Sequence, residues 1–236
     1  EDKQHQQVSD YRHIKRQVVS MAASGSVSVG SASRVIMVTS ALPGEGKTFT
    51  ALNLALSLAL ERDSSVLLVD GDIAKPNTSR LLNIERYRGL LDALSDEQAD
   101  VEDFVLGTNI KGLYALSAGK ITDTANEFLS SARMDTVMQQ LLQDKNRYIV
   151  LDTPPLLVTT EAAALAHHAG QVLMVVRADS TVQRAVQDAL HLLGEREGIS
   201  LILNRVTQSK LEGYYYGYSY GDRYGDTPVP KALSSF

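Results

Sequence analysis

The chain contains no cysteine. Disulfides, thiolate zinc sites, iron–sulfur clusters and cysteine nucleophiles are therefore excluded. It has no apolar run of the roughly 18 residues that a membrane helix needs, and no signal peptide is visible. No stretch repeats at a period of roughly 20–50 residues, so a repeat architecture is not expected. Positive charge is not in excess: 23 Lys and Arg stand against 28 Asp and Glu, a net charge of −5. That balance argues against broad electrostatic binding to nucleic acid or anionic lipid, and no nucleic-acid partner is expected. The first residue is Glu1 rather than Met. The expectation is a processed form or an excised fragment, with room for a membrane segment upstream.

What is present suits a soluble globular core, with 44% apolar and 22% charged residues. The 236 residues make roughly 1.6 domain-equivalents, read as one domain with decoration. Residues 1–8 are polar and expected to fray. From Ser9 to Met21, Tyr11, Ile14, Val18 and Met21 recur at helical spacing, and the other face carries Arg12, His13, Lys15 and Arg16. Ser24 to Ser33 holds five serines and two glycines, a linker composition.

A βα alternation follows. Short apolar runs at Val35–Val38, Val66–Val69, Leu113–Leu116, Tyr148–Leu151, Val172–Val176 and Leu201–Leu203 read as buried strands. Lys47–Glu61, Glu127–Leu142 and Val182–Leu193 read as helices. Strands separated by helices imply an α/β fold, a mainly parallel sheet with helices on both faces. Six of the ten tyrosines fall between Tyr214 and Tyr224, in a glycine-bearing segment with neither helical nor strand periodicity.

Four strand ends carry chemistry. Ala41-Leu42-Pro43-Gly44-Glu45-Gly46-Lys47-Thr48 follows a strand and opens a helix, the context of a phosphate-binding loop. Gly44 and Gly46 let backbone N–H groups approach phosphate oxygens, and the helix N-terminus adds partial positive charge. Lys47 is expected to face a solvent-filled phosphate site and reach the β- and γ-phosphates, with the Thr48 hydroxyl on Mg²⁺. Asp70-Gly71-Asp72 ends the second strand. Two carboxylates there can hold a hydrated Mg²⁺ or take a proton from an attacking hydroxyl, or they can merely cap a turn. Asp152, ahead of Thr153-Pro154-Pro155, has the Walker B pattern of an aspartate ending a buried strand. Asn204, before Arg205, could pair its amide with an adenine edge or serve as a turn residue. The five histidines show no metal spacing beyond the adjacent pair His167-His168, which reads as surface.

With these motifs, roughly residues 9–224 resemble the bacterial tyrosine autokinases of exopolysaccharide and capsule synthesis. These belong to the deviant-Walker P-loop ATPase group that also holds the MinD and ParA proteins. Val38 to Thr48 looks like the family's Walker A, Leu67 to Asp72 like its Walker A′, and Ile149 to Pro155 like its Walker B. Leu116-Ser117-Ala118-Gly119 with Glu127-Phe128-Leu129 resembles a further signature, and the tyrosine-rich tail fits the pattern. Tyr11 to Arg16 is most similar to the kinases linked to exosortase-type exopolysaccharide clusters.

The resemblance implies ATP and Mg²⁺ as cofactors. It implies nucleotide contacts from Pro43, Gly44, Glu45, Gly46, Lys47, Thr48, Phe49, Asn204 and Arg205. Thr48, Asp72 and Asp152 would hold the metal or its waters; Lys47, Asp70, Asp72 and Asp152 would form the catalytic set, with Asp70 the base toward a tyrosine hydroxyl. Tyr214, Tyr215, Tyr216, Tyr218, Tyr220 and Tyr224 would accept phosphate in trans within a homo-oligomeric ring, an octamer among the expected sizes, assembled through Arg12 and Lys15. The implied partners are the cytoplasmic tail of a membrane polysaccharide co-polymerase as activator and a cognate tyrosine phosphatase. The implied place is the cytoplasmic face of the plasma membrane, reached through that partner or a missing N-terminal transmembrane part. Residues 1–33 would then be an oligomerisation helix and linker, 34–205 the P-loop kinase domain and 206–236 the phosphoacceptor tail.

The chain departs from the family at three points. Ala74 stands where an arginine is usual, Ser9, Arg12 and Lys15 match a Glu-x-x-Arg-x-x-Arg motif incompletely, and no transmembrane activator domain is present. Two other functions fit parts of the pattern. A MinD/ParA-like ATPase switch shares the fold, but such switches carry a lysine early in the loop, where this chain has Leu42. A non-enzymatic assembly module would use the tyrosine tail as an interaction segment, and leaves the Lys-Thr loop unexplained.

Overall fold

The computed structural model describes residues 2–24, 31–122 and 125–206. The tyrosine cluster 214–224 lies outside them. Contacts gather Glu1–Asn204 into one compact unit, and a second begins at Arg205.

The elements run α1 (Asp2–Ser24), β1 (Val35–Ser40), α2 (Lys47–Ala59), β2 (Ser65–Asp70), α3 (Asn77–Leu81), α4 (Leu90–Ser95), β3 (Leu106–Gly107), β4 (Leu113–Leu116), α5 (Ala125–Leu129), α6 (Ala132–Leu141), β5 (Arg147–Asp152), α7 (Glu161–Ala166), β6 (Gln171–Arg177), α8 (Gln183–Leu193) and β7 (Ile199–Asn204). The seven strands form one sheet in the order β3-β4-β2-β5-β1-β6-β7. Every pairing is parallel except β3 with β4.

The pleat sends alternate side chains to opposite faces, and each face has its own core. Val35, Met37, Leu67, Val69, Ile149 and Leu151 pack under α4 to α8. Ile36, Val38, Val66, Leu68 and Val150 pack under α2 and Val18 of α1. Central strands covered on both sides need apolar residues at every position, which is why they read as unbroken runs rather than alternations. At the β7 edge the cover thins, and Leu201 and Leu203 are exposed.

The expected helix Glu127–Leu142 is two helices, broken at Ser130-Ser131. Ser131 takes an extended backbone and its hydroxyl donates to the Phe128 carbonyl at 2.7 Å. A short polar side chain that bonds its own backbone offers the chain an alternative to the helix. At the other end of the chain, α1 starts at Asp2 rather than Ser9. Lys3, Gln4, Gln6 and Gln7 are good helix formers that extend a turn already nucleated, with Gln6 donating to Asp10 one turn on at 3.1 Å.

Candidate active site

A parallel sheet gathers the carboxyl ends of its strands along one edge, and the loops that leave them form the ligand crevice. β2 and β5 are adjacent and in register, so Asp70 and Asp152 face each other as Cα partners at their last residues. β1 lies on the other side of β5 and feeds the phosphate-binding loop. Thr153 Oγ1 and N donate to the Val38 carbonyl, both at 3.1 Å, and Thr39 Oγ1 donates to Pro154 O at 2.9 Å. The loop after β5 is thereby held against the strand that leads to the phosphate loop.

The phosphate loop is held from inside. Gly44 and Gly46 have φ of 79° and 101°, a region that side-chain-bearing residues avoid. A Cβ on Gly46 would lie 2.2 Å from Asn204 Nδ2, so the fit also needs the missing side chain. The Glu45 carboxylate is buried: it accepts from Leu42 N at 2.9 Å and from the Thr181 hydroxyl. Asn204 Nδ2 donates to the Glu45 carbonyl at 2.8 Å. Thus two expected nucleotide contacts, Glu45 and Asn204, use their side chains to shape the loop. Leu42 packs against the core, and Pro43 and Phe49 are exposed. Arg205 has a left-handed backbone with φ 58°.

The expectation of a solvent-facing Lys47 is corrected. Lys47 is buried, and its Nζ lies 2.8 Å from Asp72 Oδ2. The reason is charge: Asp70, Asp72 and Asp152 are all buried, and an ammonium among them lowers the cost of their burial. A phosphate reaching Lys47 must therefore compete with Asp72. Asp72 Oδ1 also accepts from Lys75 N at 3.1 Å.

Thr78 and Ser79, which sequence reasoning missed, hold the other two carboxylates. Asp70 Oδ2 accepts from Ser79 N and Ser79 Oγ, both at 2.7 Å. Asp152 Oδ2 accepts from the Thr78 hydroxyl at 2.7 Å. Ser79 Oγ in turn accepts from Ala118 N at 3.1 Å, which brings the stretch Leu116–Gly119 to the site. Neither residue carried a signal, since Thr and Ser in a polar run read equally well as a turn.

Burial pushes the Asp70 carboxyl up to about 7, with the Asp152 charge adding to the rise and the hydrogen bonds from Ser79 opposing it. Asp152 is also raised, by burial first, against the pull of Lys47 and of the Thr78 and Thr48 hydroxyls. Three carboxylates against one ammonium leave the cluster short of positive charge. Asp152 Oδ1 is buried with no hydrogen-bond partner. Both features fit a divalent cation, and oxygen donors are the set Mg²⁺ prefers. Among the described residues no three acidic or histidine side chains form a ready-made metal cage. A magnesium site in a phosphate loop does not need one, because nucleotide phosphates and waters complete it.

α1 lies against α2. Tyr11 donates its hydroxyl to Thr50 Oγ1 at 3.5 Å and meets the Phe49 ring edge-on, 6.4 Å between centroids. Of the two expected assembly residues, Arg12 is exposed, whereas Lys15 is paired within the chain to Glu61 at 2.5 Å. No helix among the described residues is long and apolar enough to cross a membrane.

The AAA domain family matches residues 33–204. The chain is similar to the tyrosine-protein kinase YwqD of Bacillus subtilis (strain 168), 32% identical over 77% of this chain and 76% of that one. It is also similar to the putative tyrosine-protein kinase AmsA of Erwinia amylovora, 31% identical over 77% of this chain. There it spans 25% of the relative's length. Among solved structures, the chimerical protein CapA2B2 superposes with a TM-score of 0.73 at 28% identity, covering 84% of each chain.

Proposed function

The chain belongs to the bacterial tyrosine-kinase family within the AAA-domain P-loop ATPases, and on that premise we propose that it transfers the γ-phosphoryl group of ATP to its own C-terminal tyrosines, Tyr214, Tyr215, Tyr216, Tyr218, Tyr220 and Tyr224, in trans. The observation that carries this reading is the convergence of Lys47, Asp70, Asp72 and Asp152 at one edge of the sheet, beside a phosphate loop pinned by Glu45 and Asn204.

In the proposed reaction the loop N–H groups and the α2 N-terminus cradle the phosphates. Lys47 leaves Asp72 for the β- and γ-phosphate oxygens and stabilises the charge that builds there. The Asp70 carboxylate accepts the phenol proton as the tyrosine oxygen bonds to the γ-phosphorus. The bond from that phosphorus to the β–γ bridging oxygen breaks, and ADP leaves with the electron pair. Thr48, Asp72 and Asp152 would hold Mg²⁺, which when bound neutralises phosphate charge. The proposed setting is a homo-oligomeric ring, with α1 as the assembly element and a membrane polysaccharide co-polymerase tail as activator. Its proposed role is control of exopolysaccharide synthesis, polymerisation or export, opposed by a cognate tyrosine phosphatase. Each phosphotyrosine adds roughly −1.5 to −2 charges, so a modified tail is expected to leave the acidic site and loosen the ring. The switch reading gains nothing at Leu42, which is packed into the core.

The test is mass spectrometry of protein purified from cells, followed by incubation with ATP and Mg²⁺. Phosphate on residues 214–224 in the wild type and none in Lys47→Met is expected. Equal phosphorylation in both would overturn the reading.

A further inference from the structure

α3 is five residues long and polar, yet Thr78 and Ser79 in it are buried. A hydroxyl in the first turn of a helix ordinarily bonds nearby backbone. These two reach away from their own helix, to Asp152 and Asp70, 74 and nine residues distant in sequence. Ala118 N donates to Ser79 Oγ, so that hydroxyl's own proton is directed at Asp70.

Each hydroxyl takes up one oxygen of a strand-end carboxylate. On Asp152 the other oxygen, Oδ1, is buried and unpartnered. On Asp70 the other oxygen accepts one hydrogen bond, from Asp72 N at 3.3 Å. A carboxylate buried for structure alone would be satisfied at both oxygens, because an unmatched buried acceptor is costly. Asp152 Oδ1 is left without a hydrogen bond, and Asp70 Oδ1 with one.

We propose that Thr78 and Ser79 are positioning residues for phosphoryl transfer: one short helix fixes both carboxylates, Thr78 leaving Asp152 Oδ1 for the metal and Ser79 orienting Asp70 so that Oδ1, which accepts from Asp72 N alone, presents its other lone pair to the phenol proton. This rests on the kinase reading above, and its test separates the two. Thr78→Val keeps the branched shape and removes the hydroxyl, whereas Thr78→Ser keeps the hydroxyl. Thr78→Val is expected to lower kcat about tenfold to a hundredfold at an ATP KM within about threefold, the range for partners that orient a ligand, while Thr78→Ser retains most of the rate. The activity-free readout is binding of a fluorescent ATP analogue during a Mg²⁺ titration. Thr78→Val should need about tenfold more Mg²⁺, with binding in the absence of Mg²⁺ unchanged. Ser79→Ala should lower kcat and leave the Mg²⁺ titration in place.

Wild-type kcat and Mg²⁺ dependence in Thr78→Val would overturn the assignment of Thr78, and full rate in Ser79→Ala that of Ser79. Equal losses in Thr78→Val and Thr78→Ser, with equally lowered melting temperatures, would mean packing alone and overturn it too. A wild type without phosphotyrosine whose Thr78→Val variant still shows the Mg²⁺ shift would refute the kinase reading and support the positioning role.

Discussion

β5 carries a charged side chain at each end, and the two ends treat it differently. At the opening end, Arg147 is buried and paired, although its Nε makes no hydrogen bond. It pairs with Glu102 through two nitrogens, lies 3.8 Å from Asp144 and donates to the Leu141 carbonyl at 3.3 Å. Two anions meet Arg147 there, with the Arg34 guanidinium also acting on Asp144. At the closing end Asp152 meets Asp70 and Asp72 with Lys47 as the paired cation, and one of its oxygens has no partner. The same strand thus shows one cluster in which two guanidiniums face two carboxylates and one in which a single ammonium faces three. The difference between the ends is one of charge: guanidiniums offset the carboxylates around Arg147, whereas one ammonium falls short of the three carboxylates around Asp152.

The contrast can be broken most directly at Lys47. Lys47→Met should abolish tail phosphorylation, a loss of about a thousandfold or more given the worth of a transition-state charge contact. Because the lysine is buried and paired, the variant should also melt lower without nucleotide, and adding Asp72→Asn should restore part of that loss. Phosphotyrosine blotting and thermal melts read the two effects separately. Unchanged melting would mean that the cluster tolerates its charge unaided.

Asp70→Asn should cut the transfer rate at least about a hundredfold, the low end for a general base, and should change how stability depends on pH. A carboxyl raised to about 7 in the fold keeps a proton that the unfolded chain releases near pH 4. Its contribution is therefore complete below about pH 4 and is lost as pH rises through about 7. Asp152 is raised in the same direction. Melting of nucleotide-free protein from pH 4 to 8 should fall less steeply in Asp70→Asn than in the wild type. Parallel curves would mean that Asp70 is not raised. Transfer by the wild type should rise through about pH 7, as the base loses its proton.

At the other end the effects reverse in kind. Arg147→Ala should cost about 2–3 kcal/mol of stability by stranding Glu102 and the Leu141 carbonyl, yet leave kcat of the folded fraction near the wild-type value. Chemical denaturation and kinetics below the melting point check both halves. A lost kcat with intact stability would erase the distinction between the two ends. The smallest effect on stability is expected at the surface. Arg12→Ala with Lys15→Ala removes the pair of a largely covered Lys15 with a half-exposed Glu61, worth about 1 kcal/mol, but should lower the assembly mass by light scattering. An unchanged mass means that α1 is not the interface.

The sequence determined the kind of fold and which charged residues gather at the carboxyl edge of its sheet. Strands buried on both faces must be apolar at every position, so β1, β2, β5 and β6 stood out as runs, and the charged or amide residue ending a run is conspicuous. That is why Asp70 and Asp152 stood out, while Lys47 was marked by the Gly44-Glu45-Gly46 turn before it and Asp72 by its place beside Asp70. Short elements were not. α3, α4 and α7 are five or six residues long, less than two helical turns, so no period can establish itself. Ser130-Ser131 hid a helix break because serine is tolerated in both states. Only the tertiary structure decided how the carboxylates are held. The pairing of Lys47 with Asp72, of Thr78 with Asp152 and of Ser79 with Asp70 joins residues whose nearness depends on the strand order. Hydrogen-bond partners are chosen by distances of a few tenths of an ångström, and a one-dimensional pattern of residue types does not contain them.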